Sequence, residues 1–181
     1  MRRFLVVLLA ALTLQAAERW VESGSGPFQV LSSAGERAGR DRLYELEEFR
    51  YVFEQTLGRQ DIEPAWPIRV LVVDSTRNAP LTPGFARDAW IAAVPSRGAL
   101  ARPFLRALAV LFFDAGAGRL PDEMEAALAD LFSTLDFRGW QPVLGAPLPA
   151  AERTREWAKM HMLSVSTGYY GRLRTLVYNL E

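Results

Sequence analysis

The chain has no cysteine. A disulfide framework and a thiolate metal centre are excluded, so packing alone must hold the fold. It has one histidine, His161. Two histidines one helical turn apart therefore exist in no register, and a His-Glu-x-x-His zinc helix is excluded by count. Lysine is as scarce: Lys159 stands alone among 21 basic residues, the rest arginine, a coding bias expected of a GC-rich bacterial genome. Neither sign of charge is in excess, with 21 basic and 21 acidic residues. That balance lacks the basic face that nucleic-acid binding requires. There is no internal repeat and no low-complexity stretch.

The N-terminus carries the pattern of an export signal. Arg2 and Arg3 precede an uncharged, mostly apolar run over 4–14, and Gln15, Ala16 and Ala17 precede Glu18. The run is shorter than the roughly 18 residues a membrane span needs. Residues 1–17 are therefore expected to be a signal peptide, with a retained anchor as the alternative. No membrane span is expected beyond it. The protein is expected in the periplasm or outside the cell. Residues 18–181 form one domain by length, and a composition 50% hydrophobic supports a real core.

Gly24, Ser25, Gly26 and Pro27 read as a flexible lead into a strand from Phe28 to Ser32. Ser33 and Glu36 have the spacing of a capping box. A helix follows with Leu43, Leu46, Phe49 or Arg50, Phe53 and Leu57 on one stripe and Gly58 at its end. Arg37, Asp41, Glu45 and Glu48 fall on its wet side. Residues 67–74 are β-branched and nearly continuous, as in a strand covered on both faces. Residues 75–83 read as a loop and 89–94 as a third strand before Pro95. The second half is helical. Residues 103–114 are apolar almost all round, with Arg106 as the one interior charge. Gly116 and Gly118 break that helix. Pro121 starts another, with Asp122, Glu123 and Glu125 in its first turn and apolar positions through Leu135. Residues 136–149 are turn-rich, with a short hairpin around Val143. Further helices carry Trp157, Met160, Met162 and Leu163, then Leu173, Leu176, Val177 and Leu180. The last stops in mid-pattern at Glu181, so the domain is expected to be truncated at its C-terminal end.

One stretch resembles a known family. Gly118-Arg119-Leu120-Pro121 followed by Leu128-Ala129-Asp130-Leu131-Phe132-Ser133-Thr134-Leu135 is similar to a Leu-Pro turn and helix of gluzincin (peptidase MA-like) proteins, including exported bacterial ones of unknown function that often carry tetratricopeptide repeats downstream. The lead-in Trp20-Val21-Glu22 and the long helix after it also resemble the family's front end. The resemblance implies an α+β fold: a small β-sheet packed by a long helix, then a helical half like the family's active-site helices. It also implies where zinc ligands would stand. Aligned through Leu120-Pro121, Arg106 occupies the first ligand position, Ala107 the general base, Val110 the second ligand and Ala126 the third. Glu125 is adjacent to the third but about 100° around the helix. The chain is thus expected to lack the zinc site, with no metal, no cofactor and no catalytic residue. The function expected is a non-catalytic, peptidase-like module that binds protein or peptide. A hydrolase with a carboxylate or non-zinc site is the alternative.

Other constellations have simpler readings. His161 reads as a partly buried helix residue. Gly24-Ser25-Gly26 lacks the nucleophile-elbow pattern. Glu47 with Glu48, and Asp122 with Glu123 and Glu125, read as solvated or first-turn charges rather than a glycosidase pair. Arg106 needs a partner if buried: either an ion pair with Glu125 or Asp130, or an anionic ligand in the old cleft.

Overall fold

A computed structural model describes residues 19–60, 62–74, 83–116, 120–137, 141–169 and 171–180. The export segment, most of the 75–83 loop and Gly118-Arg119 lie outside them. The fold is α+β, with the sheet in the first half and helices dominating the second.

The first two strands are β1 (Val21–Ser25) and β2 (Phe28–Ser32), paired antiparallel with Ser25 opposite Phe28. The expected flexible lead is instead the tip of this hairpin. Gly26, at φ 50°, takes the first place of a two-residue turn, where positive φ matches the twist of the flanking strands. Helix α1 (Glu36–Leu57) follows and closes on Gly58 in the left-handed region, as its sequence predicts. Its start differs from expectation. Gly35, not Ser33, is the N-cap residue, and no side chain caps the helix. Ser33 donates its backbone N–H to Val72, so it still follows the strand ladder and cannot turn back to cap.

Strands β3 (Ile68–Val73), β4 (Gly84–Ala86) and β5 (Ala89–Pro95) complete a five-stranded sheet in the order β1-β2-β3-β5-β4. The β2–β3 and β3–β5 pairs are parallel; both edge pairs are antiparallel. Sequence reading missed both edge strands: β1 is Gly- and Ser-rich, and β4 is only three residues long. Pro95 is tolerated because β4 pairs only with residues 89–91 of β5, so Pro95 needs no ladder bond on that side.

Register aligns Phe28, Ile68 and Trp90 in one row, and Val30, Val70 and Ala92 in the next. All six are buried. The opposite face is only half-buried at Leu31, Leu71 and Ile91 and carries Arg69, bonded to Gln29 and Asp88. Thus β3 alternates rather than being covered on both faces, and its polar-side positions are filled by aliphatic residues as well as arginine.

Four helices follow or cover this sheet: α2 (Arg102–Asp114), α3 (Asp122–Phe132), α4 (Arg155–Val165) and α5 (Arg172–Asn179). Pro121 sits at the N-cap of α3, and the helix ends at Phe132 rather than continuing to Leu135. The hairpin expected around Val143 is a single antiparallel bridge to Asp136. The core joining the elements is aromatic. Phe53 of α1 lies 5.5 Å from Phe112, 4.9 Å from Phe113 and 4.6 Å from Phe132 between ring centroids. Phe112 in turn meets Phe28 of the sheet at 6.1 Å. One cluster therefore touches β2, α1, α2 and α3.

The buried stripe of α1 is Gly39, Arg42, Leu46, Phe49, Phe53 and Leu57. Leu43, expected on it, is only half-buried; Arg42 takes the inward place with 3% of its side chain exposed. A buried guanidinium must be fully partnered. Arg42 donates from Nε to Pro95 O at 2.9 Å and from Nη2 to Gly98 O at 2.7 Å. Its Nη1 donates to Glu45. It thus clamps α1 to the end of β5. Glu45, placed on the wet side by the sequence, is drawn inward by this bond. Burial pushes its carboxyl above the usual glutamate range, and Arg42 opposes that rise.

Two outcomes test the clamp. Arg42→Met strands Glu45 and two carbonyls, and should cost about 3–5 kcal/mol in urea unfolding; a loss near zero would show that the clamp is dispensable. Glu45 holds its proton more tightly folded than unfolded. Its contribution is present below the ordinary glutamate range and is lost as pH rises through the raised folded value. Unfolding measured across that range should therefore show wild type losing stability relative to Glu45→Gln as pH rises. The opposite slope would mean that attraction to Arg42 outweighs burial.

Candidate functional site

Helices α2 and α3 present the positions singled out by the resemblance. Seven residues of α2 are buried, which spends most of its surface on the core. The expectation that it is buried all round is corrected by what remains: Arg106 is exposed, and Ala107 and Val110 are half-buried. Arg106 and Val110 are one turn apart and share a face. On α3 the buried residues are Met124, Ala127, Leu128, Ala129, Leu131 and Phe132; Glu125, Ala126 and Asp130 are half-buried, the last two one turn apart.

These two faces meet. Arg106 Nε donates to Asp130 Oδ1 at 2.6 Å. At the other end of the seam, Asp114 at the end of α2 acts electrostatically on Glu125 at the start of α3. The helices therefore run in opposed directions. By helical periodicity Val110 and Ala126 fall midway along the seam, between the Arg106–Asp130 pair and the acidic end. Ala107 lies about 100° from Arg106 on the same helix. The structure thus brings Arg106 and Asp130 together; Val110 follows Arg106 by one turn on α2, and Ala126 precedes Asp130 by one turn on α3.

Glu125 is not the partner of Arg106. Partial burial raises its carboxyl above the usual range, helped by the like charges of Asp114 and Asp122. Of the two partners expected for Arg106, Asp130 is the one observed. The premise that burial forces the pairing does not hold: 46% of the Arg106 side chain and 26% of that of Asp130 are exposed. The reason is local. Arg106 sits on the one side of α2 that faces neither the sheet nor α1.

Chemically, the seam offers one cation neutralised by one anion and two small apolar side chains. Among the described residues, no three His, Cys, Asp or Glu side chains stand close enough to hold a metal ion together. His161 lies elsewhere. Its Nε2 is 2.8 Å from Gly145 O and its ring 4.8 Å from Trp157, so it ties α4 to the 144–148 loop. Gly145 N also donates to Thr134 Oγ1 at 3.0 Å, which fastens the same loop to the end of α3. Glu47 bonds Arg50 at 2.8 Å, and Glu48 accepts from Tyr44, whose phenol it pushes above its usual range. Neither carboxylate is set against the other as a glycosidase pair would be. Ser25 lies in β1 at the hairpin, not at a strand-to-helix turn.

Sequence reading missed Arg42, Glu45 and Arg102. For Arg42 a signal was available. The apolar positions of α1 step back from Phe53 through Phe49 and Leu46 to residue 42, and a charge in that register marks a partnered arginine.

No protein-family profile, curated protein or solved structure matches the chain.

An exposed pair between flexible side chains is worth little. Arg106→Ala should lower unfolding stability by less than about 1 kcal/mol. A loss several times larger would make the pair a structural pin of the α2–α3 seam.

Proposed function

We propose that this protein is a non-catalytic, exported domain built on a gluzincin-like scaffold, acting as a protein- or peptide-binding module. One observation carries the reading. Where the resemblance assigns zinc ligands, this chain carries one arginine and two apolar residues, Arg106, Val110 and Ala126. The general-base position, Ala107, carries no titratable group. An Arg106–Asp130 ion pair occupies the end of the seam where the first ligand would stand. With one histidine in the whole chain, a histidine-based zinc helix is excluded by count. The exported character rests on the charged start, apolar run and small residues of 1–17. Among the described residues, no helix is long and apolar enough to cross a membrane. The organisation of the fold supports a binding role: a sheet with one half-buried face and a helical half whose α2–α3 seam carries an ion pair at one end and carboxylates at the other.

The alternative, a hydrolase using carboxylates and a cation other than zinc, has one supporting observation. Partial burial and the like charges of Asp114 and Asp122 raise the Glu125 carboxyl at the acidic end of the seam, although these three carboxylates are not gathered closely enough to hold a metal ion together.

Elemental analysis of purified protein, together with a peptidase assay on an unstructured protein substrate, separates the two. The binding module should carry no stoichiometric metal and release no peptides, while retaining peptides from an immobilised array. Stoichiometric metal with hydrolysis lost to a chelator would establish the alternative.

A further inference from the structure

We propose that the outward face of α1 docks a basic peptide segment, seating two arginine side chains against Tyr44 and Tyr51. Both tyrosines lie across the helix from the buried stripe of Leu46, Phe49 and Phe53. Both are exposed, at 65% and 61%. Single aromatic residues in water are ordinary, but two on one stripe form a patch. Being seven residues apart, they fall on one side of the helix, about 10 Å from each other along its axis. Glu47, Glu48, Arg50 and Glu54 lie between and beside them, and the groove so lined has a volume of about 470 Å³.

Charge identifies the occupant. The groove carries three carboxylates and one guanidinium. Arg50 donates from Nε and Nη2 to Oε2 of Glu47, so that pair is neutral. Glu48 accepts from the phenol of Tyr44, a neutral donor, and its charge acts on Glu45 one turn back. Among the described residues, neither Glu48 nor Glu54 is paired with a cation. Two negative charges are thus left uncompensated beside two rings. The Oε1 atoms of Glu47 and Glu54 are enclosed, so the face acts on a ligand through its net charge and its rings, not through those atoms. A cation is favoured twice: by the carboxylates, and by the ring faces, which are the negative ends of the aromatic quadrupoles. Arginine suits the face better than lysine, because its planar, weakly hydrated guanidinium stacks on a ring while its N–H groups reach a carboxylate. In a polyproline II segment, residues three apart return to the same side about 9 Å further on, close to the separation of the two tyrosines. The occupant is therefore an extended segment of the form Arg-x-x-Arg.

The face shares no residue with the α2–α3 seam. The inference rests on the binding-module reading for there being a peptide partner, and on α1 alone for the charge of that partner.

The probe is acetyl-Arg-Ala-Ala-Arg-amide, titrated into the protein at low salt and followed by the backbone amide signals of 44–55 and the ring signals of Tyr44 and Tyr51. Exposed ion pairs and cation–π contacts are individually weak, so a Kd on the order of millimolar is expected, rising severalfold in high salt. Saturable shifts confined to this face are expected, and none from the same peptide with citrulline in place of arginine. Tyr51→Ala should weaken binding about threefold, whereas Tyr51→Phe, which keeps the ring, should leave it unchanged. Glu48→Gln combined with Glu54→Gln should weaken it about tenfold. Scattered or non-saturating shifts would overturn the inference, as would undiminished binding to Tyr51→Ala. Spermidine binding as tightly as the peptide would reduce the face to plain counter-ion attraction and overturn it too. So would a dimer that Tyr51→Ala dissolves, since the occupant would then be a second copy. Confined binding by a protein that also proves to be a metal-dependent hydrolase would sink the function proposed above and leave this face standing. A metal-free, inactive protein that retains only peptides without basic residues would do the reverse.

Discussion

Everything in this fold hangs on the cluster of phenylalanine rings around Phe53. There the sheet, the long helix and the two later helices all touch. Rings supply large buried area at little rotamer cost and prefer tilted or edge-on contacts, which fixes angles between elements as well as distances. With no cysteine in the chain, this packing does what covalent links do in disulfide-rich domains. Arg42 adds direction to it. The phenylalanines bring α1 onto the sheet, and the guanidinium decides which carbonyls at the end of β5 the helix must meet.

The parts of the fold that were legible in the sequence have strong periodicity. The stripe from Leu46 to Leu57, the β-branched run of β3 and the apolar α2 each announce themselves through spacing and composition. The parts that were not legible depend on partners distant in sequence. Val21 to Ser25 has little strand propensity, and pairs because Gly26 and Pro27 fold it back onto β2. Ser33 has the spacing of a cap but is recruited by Val72, a residue from the other side of α1. Arg106 reads as an interior charge because the helix around it is apolar. Only the placement of α3 shows which side of that helix is left over. That Arg106 would take an acidic partner was legible in the sequence. That the partner is Asp130 needed the structure, since Glu125 and Asp130 were equal candidates until the directions of α2 and α3 were known.

The two ends of the seam differ in kind. At one, Arg106 and Asp130 are partly solvated and neutralise each other. At the other, partial burial and the like charges of Asp114 and Asp122 hold the Glu125 carboxyl above its usual range.

The β1–β2 turn spans two residues, whereas β2 and β3 pair across a separation of forty, with all of α1 between them. Closing a long loop is entropically expensive before any contact repays it, and parallel pairing across such a span is slow. The hairpin and α1 can therefore organise early, while the inner edge of β2 stays open until β3 arrives. For that interval the chain presents an unsatisfied strand edge. The shape of the folding barrier is thus written into the strand order, and β3 is the element whose arrival decides between completing the sheet and pairing with another molecule.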